Sequence, residues 1–339
     1  MSAHVRTIFF RLFLCSLLVL AVERVFAQAS ADEVHITPRV AAQPQQVEIA
    51  SAAYPKSYGD NGVIRTSVNL VLVPVTITDD LNRPVVGLDQ QNFQVFENKH
   101  PQEIKNFSSE DTPVSIGILV DTSGSMSYKL DRAREAIRQF CDASNSQDEF
   151  FLITFADEPR LATDFTTHSE DVINDLLTAR SKGQTSLLDA IYMGVKKMRN
   201  AHYARKALLV LSDGGDNHSR FTEHDVKSAI RESDVSVYAV GTYENWVSTQ
   251  EELLGPDLMR SLAGITGGQA YSLTNVSEMP MVTKNIGIRL RHQYLLAYSP
   301  QPAQRDGKWR KISIKLRLPK KFPFLRVEAR PGYYAAGGE

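Results

Sequence analysis

From about Ile64 onward, apolar β-branched residues recur at every second position, at Val71, Val73, Val75 and Ile77. That period places one face of a strand in a core. The run closes on Asp79, Asp80 and the turn Leu81-Asn82-Arg83-Pro84. Short strands are predicted at Phe93 to Glu97, ahead of a turn reaching Pro101, and at Glu103 to Phe107. The same period returns far along the chain, at Gln293 to Ser299, at Lys311 to Leu318 and at Phe324 to Ala329. In the second of these, Ile312, Ile314, Leu316 and Leu318 alternate with Lys311, Ser313, Lys315 and Arg317. Three early strands alone leave open edges. The late strands are therefore expected to complete one β-sandwich with them, and the intervening residues to form an inserted domain.

Between about Pro113 and Arg291 the pattern is different. Val114 to Val120 is an apolar run with the length and branching of a strand buried on both faces. A helix should start near Leu130, with Ala133, Ile137, Phe140 and Cys141 on its apolar face. Further strands are expected at Phe150 to Phe155, Ala207 to Leu211 and Val235 to Val240, with an edge strand at Gln269 to Leu273. Helical periods fall at Leu187 to Met198, Glu223 to Glu232, Leu253 to Ala263 and Ser277 to Leu290. This alternation predicts the α/β class, with a doubly wound, mostly parallel sheet covered by helices on both faces. The expected divisions are a signal peptide at 1–27, a flexible linker at 28–61, sandwich segments at 62–112 and 292–335, and the α/β domain at 113–291.

Length and composition agree with this division. The 339 residues exceed one ordinary core, and 42% hydrophobic with 23% charged residues is a globular composition. Arg6 and Arg11 precede the apolar run Leu12 to Val22, and Val25 and Ala27 suit a cleavage site after Ala27. That is the build of a secretory signal peptide, too short for a comfortable membrane span, with an uncleaved anchor as the alternative. Leu14 before Cys15 does not suit a lipoprotein cleavage site. The mature chain would keep only Cys141, which allows no internal disulfide, so stability must come from burial. A secreted, periplasmic or cell-envelope location is expected, with no membrane span after cleavage. Formal charge is −1, and losing Arg6, Arg11 and Arg24 with Glu23 makes the mature chain more acidic. Nothing there suggests a nucleic-acid binder.

The candidate chemistry lies where buried strands end. Asp121, Thr122, Ser123, Gly124 and Ser125 follow the first buried strand, at the sheet edge where open α/β folds bind ligands. Gly183-Gln184-Thr185-Ser186 opens a helix, and Leu209 to Gly214 ends a second buried strand in Asp213. The sheet edge can thus gather Asp121, Ser123, Ser125, Thr185 and Asp213 into one shallow cup. Such oxygens are hard donors, suited to Mg²⁺ rather than zinc or copper. Neutral hydroxyls leave the ion's charge unquenched, so it keeps an appetite for an outside anion. The alternative is that Ser123, Ser125 and Thr185 only cap helices and turns. Asp189 and Asp216 are not expected as ligands.

Other chemistry is poorly represented. No phosphate loop, nucleophile elbow or zincin helix occurs, and a dehalogenase-type phosphatase would need an aspartate where Ser123 stands. His218 and His224 read as loop and helix-surface residues. The basic strip Lys308, Arg310, Lys311, Lys315, Arg317, Lys320 and Lys321 reads as a solvated strand face kept from edge pairing, or as a grip for an anionic polymer. Trp246 sits on the same carboxyl edge as the cup, as a partner contact or buried beneath its loop.

From about Pro113 to Leu290 the chain resembles the von Willebrand factor type A domain with its metal-ion-dependent adhesion site. The likeness rests on D-T-S-G-S at Asp121 to Ser125, G-Q-T-S-L-L-D-A at Gly183 to Ala190, L-S-D-G at Leu211 to Gly214 and I-T-G-G at Ile265 to Gly268. V-P-V-T-I-T-D-D and Gly87 to Phe96 ahead, with Y-L-L-A-Y-S-P and R-P-G-Y-Y behind, resemble a bacterial exported family related to it. The resemblance implies that Ser123, Ser125 and Thr185 give hydroxyls to Mg²⁺, Mn²⁺ or Ca²⁺, with Asp121 and Asp213 bonding directly or through water. It also implies an open position for a carboxylate of a protein or matrix partner. The expected function is an exported adhesion module without catalysis. The alternatives are a metal-dependent envelope hydrolase using His218 or His224, or a structural envelope protein with an empty cup.

Overall fold

The computed structural model describes residues 70–243, 250–319 and 324–335. The signal-peptide and linker segments, Trp246, Lys320 and Lys321 lie outside the described residues. The early strands are β1 (Val71–Thr78), β2 (Phe93–Glu97), β3 (His100–Gln102) and β4 (Ile104–Ser108). An α/β unit follows: β5 (Ser115–Asp121), α1 (Leu130–Ala143), β6 (Glu149–Phe155), β7 (Pro159–Thr166), α2 (Ser169–Thr178) and α3 (Leu187–Lys197). It continues with β8 (Lys206–Ser212), α4 (Glu223–Arg231), β9 (Val235–Thr242), α5 (Gln250–Gly264), β10 (Ala270–Leu273) and α6 (Met279–Arg291). The late strands are β11 (Tyr294–Tyr298), β12 (Trp309–Leu316), β13 (Arg326–Ala329) and β14 (Gly332–Tyr334).

The α/β unit has one six-stranded sheet in the order β10-β9-β8-β5-β6-β7, parallel except for the edge strand β7. β5 lies inside it, and all seven of its residues are buried. Its side chains alternate between two cores. Ile116, Ile118 and Val120 pack with α1, α2 and α6 on one face, while Leu119 packs with α3, α4 and α5 on the other. Gly117 leaves room for its neighbours, since a Cβ there would lie 2.2 Å from the Phe151 ring and 2.5 Å from Leu208. Both faces of β5 are therefore filled, as its apolar run requires.

Early and late strands combine around this insertion. One antiparallel sheet runs β13-β1-β11-β4 and the other β14-β12-β2-β3. Their inner faces meet over Val73, Val75, Ile77, Phe93, Val95, Tyr294, Leu296, Tyr298 and Ile312.

Two expectations need correction. The strand expected at Glu103 to Phe107 is preceded by a separate short strand. Asn98 and Lys99, at φ 46° and 73°, make a two-residue turn that returns His100–Gln102 along β2. The chain then crosses at Glu103 and pairs as β4 with β11 in the opposite sheet. The basic strip is also not an edge. β12 pairs with β2 on one side and β14 on the other. Arg310 follows the inward alternation of Ile312 and is buried, 2.6 Å from Asp306 and 3.9 Å from Glu97. Lys311, Lys315 and Arg317 remain exposed.

Candidate metal centre

β5 delivers Asp121 to the carboxyl edge of the sheet with its residue fully buried. The chain then turns sharply because Thr122 bonds the Phe155 carbonyl with both its N–H (2.7 Å) and its hydroxyl (3.1 Å). A 3-10 turn at Gly124–Met126 follows, anchored by the buried Met126 side chain, and α1 starts at Leu130. Within this loop Ser123 N–H donates to Asp121 Oδ1 at 2.8 Å, and the Ser123 and Ser125 hydroxyls stand 3.1 Å apart.

The end of β8 is tied to the end of β5. Ser212 Oγ donates to Asp121 Oδ2 at 2.6 Å and accepts the Gly214 N–H at 3.0 Å. Asp213, between them, is buried, with Oδ2 3.4 Å from the Lys129 ammonium. Burial pushes the Asp121 carboxyl up to about 7, and the Asp213 charge adds to the rise against the hydrogen bonds from Ser123 and Ser212. Two carboxylates at close quarters in a buried pocket favour any added cation.

Thr185 arrives on a third loop. Lys182 N–H donates to the Thr122 carbonyl at 2.8 Å, and Gly124 N–H donates to the Gly183 carbonyl at 3.0 Å. Gly183 has φ +88°, and a Cβ there would sit 2.6 Å from the Asp157 carboxylate, so only glycine fits without strain. Asp157 also accepts the Gln184 N–H at 2.8 Å. Asn217 clamps Thr185 from the other side: its Oδ1 accepts the Thr185 N–H at 2.9 Å, and its own N–H reaches the Thr185 carbonyl at 3.1 Å. His218 adds a second main-chain N–H to that carbonyl at 3.1 Å, while its side chain, like that of His224, is exposed.

The five expected residues thus occupy three loops that are hydrogen-bonded to one another at the carboxyl edge. Ser123 heads its turn without a side-chain cap, and Ser186, which heads α3, makes none either. Among the described residues the Thr185 hydroxyl has no hydrogen-bond partner, so the serine and threonine oxygens are not consumed by capping. Asp189 and Asp216 are taken up by main-chain N–H groups: Asp189 Oδ1 accepts those of Arg220 and Phe221 in the loop before α4, and Asp216 Oδ1 accepts that of Leu188 in the first turn of α3. Burial raises the Asp216 carboxyl above its ordinary range. No group of three or more His, Cys, Asp or Glu side chains suited to a metal occurs among the described residues. The donor set is instead two carboxylates and three hydroxyls, which fits a hard cation of the Mg²⁺ type.

Sequence reasoning overlooked the residues that hold this set: Ser212, Asp157, Asn217 and Lys129. Their roles depend on partners tens of residues away, which no local pattern shows. Tyr243 joins them, its hydroxyl buried without a partner among the described residues and its acidity suppressed by burial and by the Asp213 charge.

The family model of the von Willebrand factor type A domain matches residues 115–285, half of the chain. Similar solved structures include a von Willebrand factor type A protein from Catenulispora acidiphila, at 13% identity and TM-score 0.47 over 79% of this chain and 74% of that one. The conserved hypothetical protein BatB from Bacteroides thetaiotaomicron aligns at 16% identity and TM-score 0.42, over 52% of this chain and 98% of that one. The corresponding domain of the type V pili tip protein Mfa5 from Porphyromonas gingivalis aligns at 11% identity and TM-score 0.42, over 52% and 94%. No curated protein matches the chain.

Proposed function

This chain belongs to the von Willebrand factor type A domain family, and from that premise we propose that it is an exported interaction module binding an acidic group of a protein or matrix partner through a divalent cation. The observation that carries the reading is the donor set itself. Asp121, Ser123, Ser125, Thr185 and Asp213 stand on three mutually bonded loops, with hydroxyls left over from capping. Mg²⁺, or Mn²⁺ or Ca²⁺ in its place, would supply an open coordination position for a partner's carboxylate. Asp121 and Asp213 provide the charge that holds the cation, and Ser123, Ser125 and Thr185 orient it without neutralising it. Catalysis forms no part of this reading, and His218 serves through its main-chain N–H. Export rests on the sequence of residues 1–27.

The test pairs calorimetric titration of Mg²⁺ and Mn²⁺ with capture of partners from envelope extract, with and without chelator. Wild-type protein should bind the ion and lose its partner in chelator. Asp121→Ala should lose both while its far-UV circular dichroism is unchanged. Partner capture that survives in Asp121→Ala would overturn the reading, and phosphoester turnover abolished by His218→Ala would redirect it to a hydrolase.

A further inference from the structure

We propose that Lys129 is a built-in counter-charge which makes the loaded cup cationic, weakening its hold on the metal while strengthening its hold on the partner's carboxylate. The inference rests on the cation-dependent reading above and deepens it.

Lysine is almost never fully buried unless paired. Lys129 is only 5% exposed, and its ammonium lies 3.4 Å from Asp213 Oδ2 and 3.5 Å from the Thr242 carbonyl. Both contacts are at the long end of hydrogen bonding, so the ammonium is not locked into one short pair. The main chain fixes its place: Lys129 N–H donates to the Met126 carbonyl at 2.9 Å, and the Lys129 carbonyl accepts the Ala133 N–H at 2.9 Å. The stem therefore starts one turn beyond Ser125, and its ammonium reaches the loop after β8 and the end of β9.

The charge balance follows from these neighbours. Once a cation has displaced the proton that burial favours on Asp121, the two carboxylates and the Lys129 ammonium leave the cup singly negative apart from the metal. A divalent ion turns it singly positive, and a partner's carboxylate then brings it to neutrality. With a neutral residue at 129 the metal alone would neutralise the cup, and an incoming carboxylate would meet no net attraction. Lys129 thus repels the metal and attracts the partner, and removing it should shift the two affinities in opposite directions. A residue that merely props Asp213 in place would shift both downward.

The experiment titrates Mn²⁺ into wild type, Lys129→Met and Lys129→Gln by calorimetry, with Tb³⁺ luminescence as a parallel readout. Each Mn²⁺-loaded protein is then titrated with acetate, followed by water-proton relaxation, with acetamide as the uncharged control. Both variants should bind Mn²⁺ about tenfold more tightly or better, because a positive charge beside Asp213 is removed. The gain should be larger for Tb³⁺ than for Mn²⁺, as a charge effect scales with the ion's charge. Acetate affinity should fall several-fold in the variants, while acetamide shows no difference. Equal or weaker Mn²⁺ binding in a folded variant overturns the inference and leaves the metal-dependent reading intact. Absence of Mn²⁺ binding in wild type overturns both. If neither variant folds, the ammonium holds the fold rather than tuning the site, and the inference also fails.

Discussion

Gly214 shows how closely one residue is specified beside the cup. It directly follows Asp213 and has φ +81°, a region where an L side chain costs about 1–2 kcal/mol. Space is also lacking. A Cβ there would lie 2.7 Å from the Tyr243 hydroxyl and 2.9 Å from Gly255 Cα, where α5 approaches the loop backbone to backbone. Gly214→Ala must therefore displace either α5 or the Asp213 main chain. Thermal unfolding should show a loss of about 2–3 kcal/mol, combining the strained φ with overpacking. Mg²⁺ affinity should fall with it, because Asp213 moves with its neighbour. A variant with unchanged melting temperature and unchanged Mg²⁺ affinity would mean that the close approach at Gly255 relaxes freely.

At the scale of elements, the cup depends on loops that brace one another. Thr185 reaches the site because Asp157 holds Gln184 from one side and Asn217 holds Thr185 from the other. Asn217→Ala removes one side-chain acceptor near the surface, where Asn217 is exposed, so stability should drop by only about 1 kcal/mol. The Thr185 hydroxyl would lose its fixed position, and Mg²⁺ affinity measured by calorimetry should fall on the order of tenfold, the usual cost of disturbing a residue that orients a ligand. An affinity unchanged in Asn217→Ala would show that the Lys182 and Gly183 backbone bonds position Thr185 unaided. The elements with strong signals were legible in the sequence: β5, β8 and β9 as mostly apolar runs rich in branched residues, and α1 and α3 as amphipathic periods. β7 and α2 were not. β7 is an edge strand whose residues are all exposed or half-buried, with Arg160 and Asp164 breaking any alternation, so burial leaves no mark on its composition. α2 buries only Val172, Ile173 and Leu176 in ten residues. His100–Gln102 was hidden by Pro101, which reads as a turn although it sits on an edge strand where no N–H is needed. The five cup residues were legible because each follows or opens a strongly patterned element, whereas Asn217, Asp157 and Lys129 belong to no such pattern.

The proposed cup and the junction with the sandwich lie at opposite ends of the parallel strands. The cup is at their carboxyl edge, and the passage to the sandwich is at their amino edge, roughly 20 Å away at about 3.3 Å per residue along β5. There Arg205 donates to the Leu290 carbonyl and to the Thr112 hydroxyl, so one buried side chain joins the segments that enter and leave the α/β unit. Gln293 continues the clasp to Thr76 of β1 at 3.2 Å and to Tyr238 of β9 at 3.0 Å. Asp148 completes it, accepting the Val114 N–H at 2.7 Å and the Asn145 N–H at 2.9 Å. Burial pushes the Asp148 carboxyl from 3.8 up to about 6, although the two amides and the Arg205 charge pull the other way. The folded chain therefore holds this proton more tightly than the unfolded chain. Stability from this group is fully present below the unfolded value and is lost as pH rises through about 6. Between pH 5 and pH 7.5 the loss should be on the order of 1 kcal/mol. Asp148→Asn has no proton to lose, so urea unfolding of the two proteins at both pH values isolates the effect. The variant should gain on wild type by that amount as pH rises, whatever the other carboxylates contribute to both. A gap that stays constant would mean that Asp148 holds its proton no more tightly in the folded chain than in the unfolded one.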